Sequence, residues 1–266
     1  MSLDAEAAAA QAAADAAGAV IRRYFRAQVG VETKSDASPV TAADKGAEVA
    51  IREILRTRFP DHGMIGEELG GQEGGDQRAG RFTWVIDPID GTRAFITGRP
   101  TFATLISLLD HGVPVLGLID QPITGERWLA AGGRLSFTGA HGGVAGCRRV
   151  ASLAEVELSC TSPDMLDTAQ YARFRKLASA CRRTSWGGDA YAYGLLALGQ
   201  IDVIAEADLK LWDWAALAPV IEAAGGIATD WQGRRLTLDG DGSMLAVGDP
   251  SVHEAAVAAL FGTDSH

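Results

Sequence analysis

Cysteine is scarce in this sequence, and the three cysteines are far apart. Cys147, Cys160 and Cys181 form an odd set with no close pair, so neither a disulfide framework nor a cysteine-based zinc site is indicated. The five histidines are scattered without a His-x-x-x-His pair, which removes another common zinc pattern. A reducing compartment suits such a chain, and we expect the protein to be cytoplasmic.

Basic residues and long apolar runs are also few. Lys and Arg number 24 against 34 Asp and Glu, giving a formal net charge of −10. Nucleic acids and anionic membranes need a basic footprint, so neither is an expected partner. No stretch reaches the roughly 18–20 uninterrupted apolar residues of a membrane-spanning helix. Residues 1–17 are alanine-rich but carry acids where a signal peptide needs basic residues, which indicates a mature helix.

One stretch of the sequence is informative about function. It is Trp-Val-Ile-Asp-Pro-Ile-Asp-Gly-Thr, at residues 84–92. An apolar strand from Phe82 to Ile86 leads to Asp87, and Pro88 is predicted to end that strand because proline has no N–H to donate. Asp87, the Ile89 carbonyl and Asp90 offer only oxygen ligands. Such a set suits Mg²⁺ or Mn²⁺ better than Zn²⁺.

The last two residues of this stretch add the features of an anion site. Gly91 permits close approach of the backbone, and the N–H groups of Gly91 and Thr92 can face an anion. The alternative is an ordinary corner, in which Asp-Pro and Asp-Gly only make the bend. The complete hexapeptide Asp-Pro-Ile-Asp-Gly-Thr after a buried strand favours a functional loop.

Two further segments place an acid next to an apolar element. Glu67 belongs to Gly-Glu-Glu after a short apolar run, and Asp213 belongs to Trp-Asp-Trp-Ala-Ala, which is predicted to open a helix running to about Ala224. Taken alone, Glu67 can be a solvated loop acid, and Asp213 can merely serve the first turn of its helix. Together the three segments supply four acids, which are Glu67, Asp87, Asp90 and Asp213.

These three motifs, in this order, resemble the inositol monophosphatase family of Mg²⁺-dependent, lithium-sensitive phosphatases, and the similarity extends from about Ala13 to Val257. The resemblance implies a site for two or three Mg²⁺ ions, with Mn²⁺ as an alternative. It also implies a homodimer and a small phosphate monoester as substrate. The metal ligands that it implies are Glu67, Asp87, the carbonyl of Ile89, Asp90 and Asp213.

The same resemblance implies roles around the water and the phosphate. Asp44, which can also serve the first turn of its own helix, would hold Thr92. We expect direct in-line attack by a metal-activated water without a phosphoenzyme, with Thr92 and Glu67 positioning and deprotonating that water. The N–H groups of Gly91 and Thr92 would hold the phosphate oxygens, and Asp90 would also contact the substrate.

Several stretches resemble the histidinol-phosphatase branch of the family. They are Arg93–Phe102, Leu118–Trp128, Trp186–Gly194 and Glu206–Lys210. In the family, the positions of Asp189 and Glu206 contact the non-phosphate end of the substrate; a helix N-cap and a strand-end acid are the respective alternatives. Because histidinol phosphate carries an amine and an imidazole, carboxylates in its pocket make physical sense. One departure is Ser185-Trp186, where some histidinol phosphatases have an arginine.

The expected function is therefore hydrolysis of L-histidinol phosphate in histidine biosynthesis. Inositol 1-phosphate, or a broad range of sugar and nucleotide phosphates, is the alternative. Haloacid-dehalogenase-type phosphatases use Asp-x-Asp-Gly-Thr, whereas the two acids here are one residue further apart, which misplaces the first for a nucleophile. A non-catalytic metal- or phosphate-binding protein would be expected to lose at least one of the predicted site residues, and none is missing.

The order of apolar patterns predicts the fold. A helix, a second helix and a meander of strands from Thr101 to Ala131 are followed, from Val156 onward, by alternating strands and helices. The strand Val29–Lys34 and the glycine-rich loop Gly70–Gly80 are also predicted. Without a linker or repeat, we expect one domain over residues 1–266, with halves of about 1–150 and 151–266. The family resemblance implies an α/β fold, a five-layer α/β/α/β/α sandwich.

Overall fold

The computed structural model describes residues 3–27, 31–33, 39–71 and 81–261. In the N-terminal half, helices precede a sheet of mainly antiparallel strands. The elements are α1 (Asp4–Tyr24), β1 (Val31–Thr33), β2 (Pro39–Thr41), α2 (Ala42–Arg58), β3 (Gly63–Gly66), β4 (Gly70–Gly71), β5 (Phe82–Asp90), α3 (Thr92–Ile96), β6 (Ala103–Asp110), β7 (Val113–Gln121), β8 (Glu126–Ala131) and β9 (Arg134–Thr138).

In the C-terminal half, strands and helices alternate. The elements are β10 (Glu157–Cys160), α4 (Thr168–Ala180), β11 (Arg183–Trp186), α5 (Asp189–Leu196), β12 (Val203–Glu206), α6 (Leu211–Trp214), α7 (Leu217–Ala223), β13 (Ile227–Thr229), β14 (Met244–Val247) and α8 (His253–Phe261). Short 3₁₀ turns lie at Leu153–Glu155, Pro163–Met165 and Pro250–Val252.

The strands form two large sheets with helices on both faces of each. The first sheet has the order β4-β3-β5-β6-β7-β8-β9, and the second has the order β11-β10-β12-β14-β13. Helices α1 and α2 cover the outer face of the first sheet, α5 and α7 lie between the sheets, and α4 and α8 cover the outer face of the second. The expected α/β/α/β/α sandwich is confirmed.

The apolar core between the two sheets draws on both halves of the chain. Leu105 and Trp128 of the first sheet, Tyr193 of α5, Val220 of α7 and Ala246 of the second sheet belong to one buried cluster. Because burying this cluster needs both halves at once, we propose that residues 1–266 form a single domain.

Local sequence signals explain several elements. The start of helix α4 is fixed by a capping box between Asp167 and Gln170. The hairpin between β6 and β7 turns through His111 and Gly112, whose φ angles of 50° and 79° suit the tight turn that the right-handed twist of the strands favours. Helix α1 buries a stripe of small residues, including Ala10, which lets it lie close to its neighbours.

The prediction that Pro88 ends its strand is wrong. Strand β5 continues through Pro88 to Asp90, and its register against β6 shifts between Asp87 and Asp90. Such an irregularity leaves residues without a ladder partner, so the missing N–H of Pro88 interrupts no regular bond. The Pro88 carbonyl instead accepts a hydrogen bond from the Thr104 hydroxyl at 2.8 Å.

The single helix predicted from Trp212 to about Ala224 is two helices, α6 and α7. Pro219 has no N–H to donate to the carbonyl four residues earlier, which is that of Ala215. That carbonyl accepts the Ser107 hydroxyl at 2.9 Å instead. The break therefore serves to pack the helices against the first sheet.

Two predicted segments are described only in part. The predicted strand Val29–Lys34 is described at residues 31–33, where it forms β1, and Lys34 lies outside the described residues. The predicted loop at 70–80 begins with the short strand β4, and residues 72–80 also lie outside them. No helix among the described residues is both long enough and apolar enough to cross a bilayer.

Candidate active site

A cleft of about 350 Å³ lies where elements of the two halves meet. The ends of β3, β5 and β12, the start of α5 and helix α6 all contribute to its wall. Of the ten residues predicted for the site, all except Asp44 line this cleft. They are Glu67, Asp87, Ile89, Asp90, Gly91, Thr92, Asp189, Glu206 and Asp213.

Three of the acids form a tight cluster. The carboxylates of Asp87, Asp90 and Asp213 each offer an oxygen within 4.8 Å of the other two. Glu67 lies close enough to Asp87 and to Asp213 for its charge to affect both. Residues from three distant segments therefore meet in one place.

The electrostatics of this cluster are unfavourable without a counter-charge. Burial, and then the charges of Glu67 and Asp90, hold the pKa of Asp87 well above its usual range. Burial and the charge of Asp213 do the same to the pKa of Asp90. Burial is the main cause that raises the pKa of Asp213 to about 7. Ionised carboxylates this close together repel one another, and a cation would relieve that repulsion.

The backbone after Asp87 turns through two hydrogen bonds within the motif. Asp87 Oδ1 accepts the N–H of Ile89 at 3.0 Å, which is the geometry of an Asx turn. The Ile89 carbonyl accepts the hydroxyl of Thr92 at 3.2 Å. The motif thus folds on itself, and Asp87, Ile89 and Asp90 all line the cleft.

Asp90 and Asp213 are each held by a backbone donor. Asp90 Oδ2 accepts the N–H of Ala190 at 2.6 Å, which ties the central motif to the start of α5 in the other half. Asp213 Oδ2 accepts the N–H of Lys210 at 2.7 Å, which stabilises the first turn of α6. The two expectations for Asp213 are therefore compatible, since the same side chain caps its helix and faces the cluster.

A buried ion pair beneath Glu67 was not predicted from the sequence. Glu48 is fully buried; its Oε1 accepts Arg52 Nε at 2.7 Å, and its Oε2 accepts the Glu68 N–H at 2.8 Å. Arg52 also donates to the Gly70 carbonyl. A Cβ on Gly66 would overlap Glu48 Oε1, so the motif needs glycine there. The available signal was a pair of opposite charges four residues apart on the apolar side of α2.

Asp44 is buried in the first turn of α2, and its charge raises the pKa of Asp87. It is therefore near the cluster although it does not line the cleft. The described hydrogen bond of the Thr92 hydroxyl is the one to Ile89. The expected hold of Asp44 on Thr92 stays a prediction.

Asp189 lies against Gly91 at the start of α5. Its backbone has φ of 44°, and its Oδ2 accepts the Thr101 hydroxyl at 2.8 Å. The N-cap of α5 is Gly188, so the alternative of Asp189 as N-cap is wrong. An acid in a left-handed backbone conformation is unusual and is typical of functional positions.

Two features require glycine at position 91: its positive φ angle and its close contact with Asp189. Alanine substitutions at Gly91 and at a second glycine distinguish the two effects. Gly91 has φ of 85°, and an added Cβ would lie 2.7 Å from the Asp189 Cβ. Gly125 has φ of 72° but no atom within 4 Å of its Cβ position. We expect Gly125→Ala to lower the free energy of unfolding by about 1 kcal/mol, from backbone strain alone. Gly91→Ala should lower it by about 2–4 kcal/mol, because Asp189 must also move.

Urea unfolding of the two variants measures this difference. Equal losses for Gly91→Ala and Gly125→Ala would show that the contact between Gly91 and Asp189 is unimportant.

Glu206 lies at the end of β12 and is 4% exposed. Its Oε1 accepts the Thr161 N–H at 2.6 Å, and its Oε2 accepts the Tyr193 hydroxyl at 2.9 Å. The alternative of a solvated strand-end acid is therefore wrong. Tyr193, Thr161 and Arg93 also line the cleft and were not assigned a role from the sequence. Thr161 contributes a backbone N–H, which no sequence pattern reveals.

Comparison with known proteins shows which family has this fold and these motifs. The family model described as the inositol monophosphatase family matches residues 2–263. The chain belongs to the inositol monophosphatase family. A solved inositol monophosphatase from Zymomonas mobilis has a TM-score of 0.87 and 42% identity, over 98% of this chain and 99% of that one.

Two curated relatives of this inositol monophosphatase family member are named as phosphatases. The bifunctional phosphatase IMPL2, chloroplastic, of Arabidopsis thaliana is 42% identical over 265 residues, 97% of this chain and 75% of the relative. A histidinol-phosphatase of Mycobacterium tuberculosis is 37% identical over 229 residues, 84% of this chain and 86% of the relative.

The inositol monophosphatase family is metal-dependent, and the acids of this chain fit a metal. The cluster offers the carboxylate oxygens of three aspartates, which is the ligand chemistry of a hard divalent cation. The raised pKa values of Asp87, Asp90 and Asp213 mark a place where positive charge is stabilising.

Proposed function

We propose that this chain hydrolyses L-histidinol phosphate to L-histidinol and phosphate with Mg²⁺, as a step of histidine biosynthesis. The observation that carries the proposal is the position of Glu206. Its buried carboxylate lines the same cleft as the acid cluster. A leaving group that carries an ammonium suits such a carboxylate, whereas a neutral polyol gains less from it. The similarity to a histidinol-phosphatase supports the same substrate.

The residues that would hold the metal are Glu67, Asp87, Asp90, Asp213 and the carbonyl of Ile89. Bound divalent cations would supply neutralisation of the phosphate charge and activation of water. Two or three Mg²⁺ ions, or Mn²⁺ in their place, are proposed from the family resemblance and from the number of oxygen ligands.

The other roles belong to side chains and N–H groups of the chain itself. Thr92, held by Asp44, would orient the attacking water, and the carboxylate of Glu67 would accept its proton. The N–H groups of Gly91 and Thr92 would hold phosphate oxygens as negative charge develops on them. The water itself would attack the phosphorus in line with the leaving oxygen, whose bond to phosphorus breaks as the new one forms, so no covalent phosphoenzyme is formed.

At the other end of the cleft, Asp189 and Glu206 would hold the substrate's amine and imidazole. Both acids are fixed before substrate arrives, Asp189 by Thr101 and Glu206 by Thr161 and Tyr193. Preorganised acceptors lose little entropy on binding. The expected homodimer and the expected cytoplasmic location remain predictions.

A second candidate is hydrolysis of inositol 1-phosphate. The similarity in fold and sequence to a solved inositol monophosphatase favours it. Because hydroxyl groups can also donate to Asp189 and Glu206, the same cleft can accept a polyol.

A phosphate-release panel tests the proposal. The substrates are histidinol phosphate, inositol 1-phosphate, adenosine 3′,5′-bisphosphate and fructose 1,6-bisphosphate, each with Mg²⁺ and with EDTA. We expect kcat/KM for histidinol phosphate to exceed the others by about tenfold or more, because only that substrate pairs a cation with the buried acid. Release should stop in EDTA. A preference for another ester would reassign the substrate, and no release from any ester with Mg²⁺ would refute a phosphatase.

A further inference from the structure

Tyr193 is the side chain that donates a hydrogen bond to the Glu206 carboxylate. Tyr193 is 1% exposed, and its hydroxyl donates to Glu206 Oε2 at 2.9 Å. Thr161 N–H donates to Oε1 at 2.6 Å. Each carboxylate oxygen thus receives one donor and keeps a second lone pair for a ligand. The two donors therefore orient the carboxylate, and both of its oxygens can still accept a hydrogen bond from a ligand.

The helix that carries Tyr193 also reaches the acid cluster. Ala190, three residues earlier on α5, donates its N–H to Asp90 at 2.6 Å. A single turn of α5 is thus bonded to Asp90 at the phosphate end of the cleft and to Glu206 at the other end. This turn fixes the distance between the two ends of the substrate site.

The hydroxyl also affects the charge of Glu206. Burial raises the pKa of Glu206, and the hydrogen bonds from Thr161 and Tyr193 oppose that rise. A donor to the ionised form favours that form. An ammonium needs an ionised partner for a charge-assisted hydrogen bond, whereas a neutral hydroxyl does not.

We propose that Tyr193 is a positioning residue that selects cationic leaving groups, because its hydroxyl bond holds the Glu206 carboxylate in place at the wall of the cleft. The inference rests on the function proposed above, since it requires Glu206 to face the leaving group. Tyr193 itself does not touch the reacting phosphate in this account.

The same helix offers a matched control. Tyr191 donates its hydroxyl to Glu126 Oε2 at 2.6 Å, and Glu126 is also 4% exposed. Neither Tyr191 nor Glu126 lines the cleft. Tyr191→Phe and Tyr193→Phe therefore each remove one hydroxyl from α5 that is bonded to a buried glutamate, and only the second is next to the substrate site.

The experiment measures kcat and KM of both variants for histidinol phosphate and for glycerol 1-phosphate, whose leaving group is uncharged. We expect Tyr193→Phe to raise KM for histidinol phosphate about tenfold, from the loss of one hydrogen bond to a charged group. The KM for glycerol 1-phosphate should change less than about threefold, since that ester makes no ion pair with Glu206. Tyr191→Phe should leave the ratio of the two KM values unchanged.

Two further variants test whether the effect of Tyr193→Phe on KM acts through Glu206 or comes from a general change in the structure. Glu206→Gln should show the same selective loss, and adding Tyr193→Phe to it should cause little further loss, because the two residues act together. Melting temperatures of all variants confirm that they fold. A loss that is equal for both substrates, or a KM ratio that matches that of Tyr191→Phe, would overturn the inference.

Failure of the proposed function gives a different result. If the unsubstituted enzyme hydrolyses glycerol 1-phosphate but not histidinol phosphate, the proposed substrate is wrong. The selection of cationic leaving groups by Tyr193 is overturned with it. If histidinol phosphate is hydrolysed well and Tyr193→Phe acts equally on both esters, the inference alone fails.

Discussion

Asp90→Asn is expected to lower kcat by about a thousandfold or more while leaving the fold intact. The reason is that asparagine keeps the size of the side chain and an oxygen that can accept the Ala190 N–H, but removes the charge from the cluster. Without that charge, the cluster holds a divalent cation less tightly, and the phosphate lies in a less neutralised site. Phosphate release by the purified variant measures kcat, and circular dichroism shows whether the fold is intact.

The matched control is Asp110→Asn. Asp110 lies at the opposite end of the same pair of strands, where it faces Phe82 and bonds to Arg81 at 3.0 Å. Its loss should leave kcat within about twofold, since an exposed ion pair contributes little. An Asp90→Asn enzyme with near-normal turnover would refute the role of Asp90.

In EDTA, Asp87→Asn is expected to unfold at a higher temperature than the unsubstituted protein, by roughly 3–8 °C. Asp87 is 1% exposed, and burial with the neighbouring acids raises its pKa well above the usual range. A raised pKa in the folded state means that the ionised form destabilises that state at neutral pH, so removing the charge stabilises it. The bond from the Ile89 N–H to Oδ1 can persist in asparagine.

In Mg²⁺, the unsubstituted protein should have a higher melting temperature than Asp87→Asn, which is the reverse of the order in EDTA. The cation stabilises only the protein that binds it, so the unsubstituted chain should gain more in melting temperature than Asp87→Asn. Asp202→Asn is the control, because Asp202 is also 1% exposed but bonds to Arg148 through both oxygens at 2.6 Å. Asp202→Asn should melt lower in EDTA. If Asp87→Asn also melts lower in EDTA, the cluster is not repulsive and the metal site is in doubt.

The sequence predicted the acids of the site because each lies in a short motif at the end of an element. The apolar strand before Asp87, the run before Glu67 and the helix at Asp213 could be recognised locally. That the three segments converge was predicted from the family resemblance rather than from the pattern itself. The structure places Asp87, Asp90 and Asp213 within one cluster.

The errors in the predicted elements both involve proline. Pro88 was expected to end its strand, but an irregular register between Asp87 and Asp90 accommodates it. Pro219 was not used to divide the helix after Trp212, although it cannot donate to the Ala215 carbonyl. In each case the outcome depends on a partner far along the chain, Thr104 for the first and Ser107 for the second. Local propensity does not contain such partners.

The residues that support the site were the hardest to predict. Glu48 and Arg52 face inward from α2 and fix the turn that carries Glu67, yet charged residues on a helix are ordinarily assigned to its exposed side. Tyr193 was assigned no role from the sequence, and it lies in the buried apolar cluster between the sheets. Its proposed role depends on the end of β12, which comes next to α5 only when the second sheet forms.

Acids from three distant segments are expected to bind divalent cations together, and a crystal grown with Mn²⁺ tests this expectation most directly. Anomalous scattering at the manganese edge locates the ions without reference to activity. We expect peaks contacted by the carboxylates of Asp87, Asp90 and Asp213, with Glu67 and the Ile89 carbonyl as the remaining ligands. A crystal grown with Mn²⁺ that shows no peak among these three aspartates, or peaks only elsewhere, would contradict this expectation.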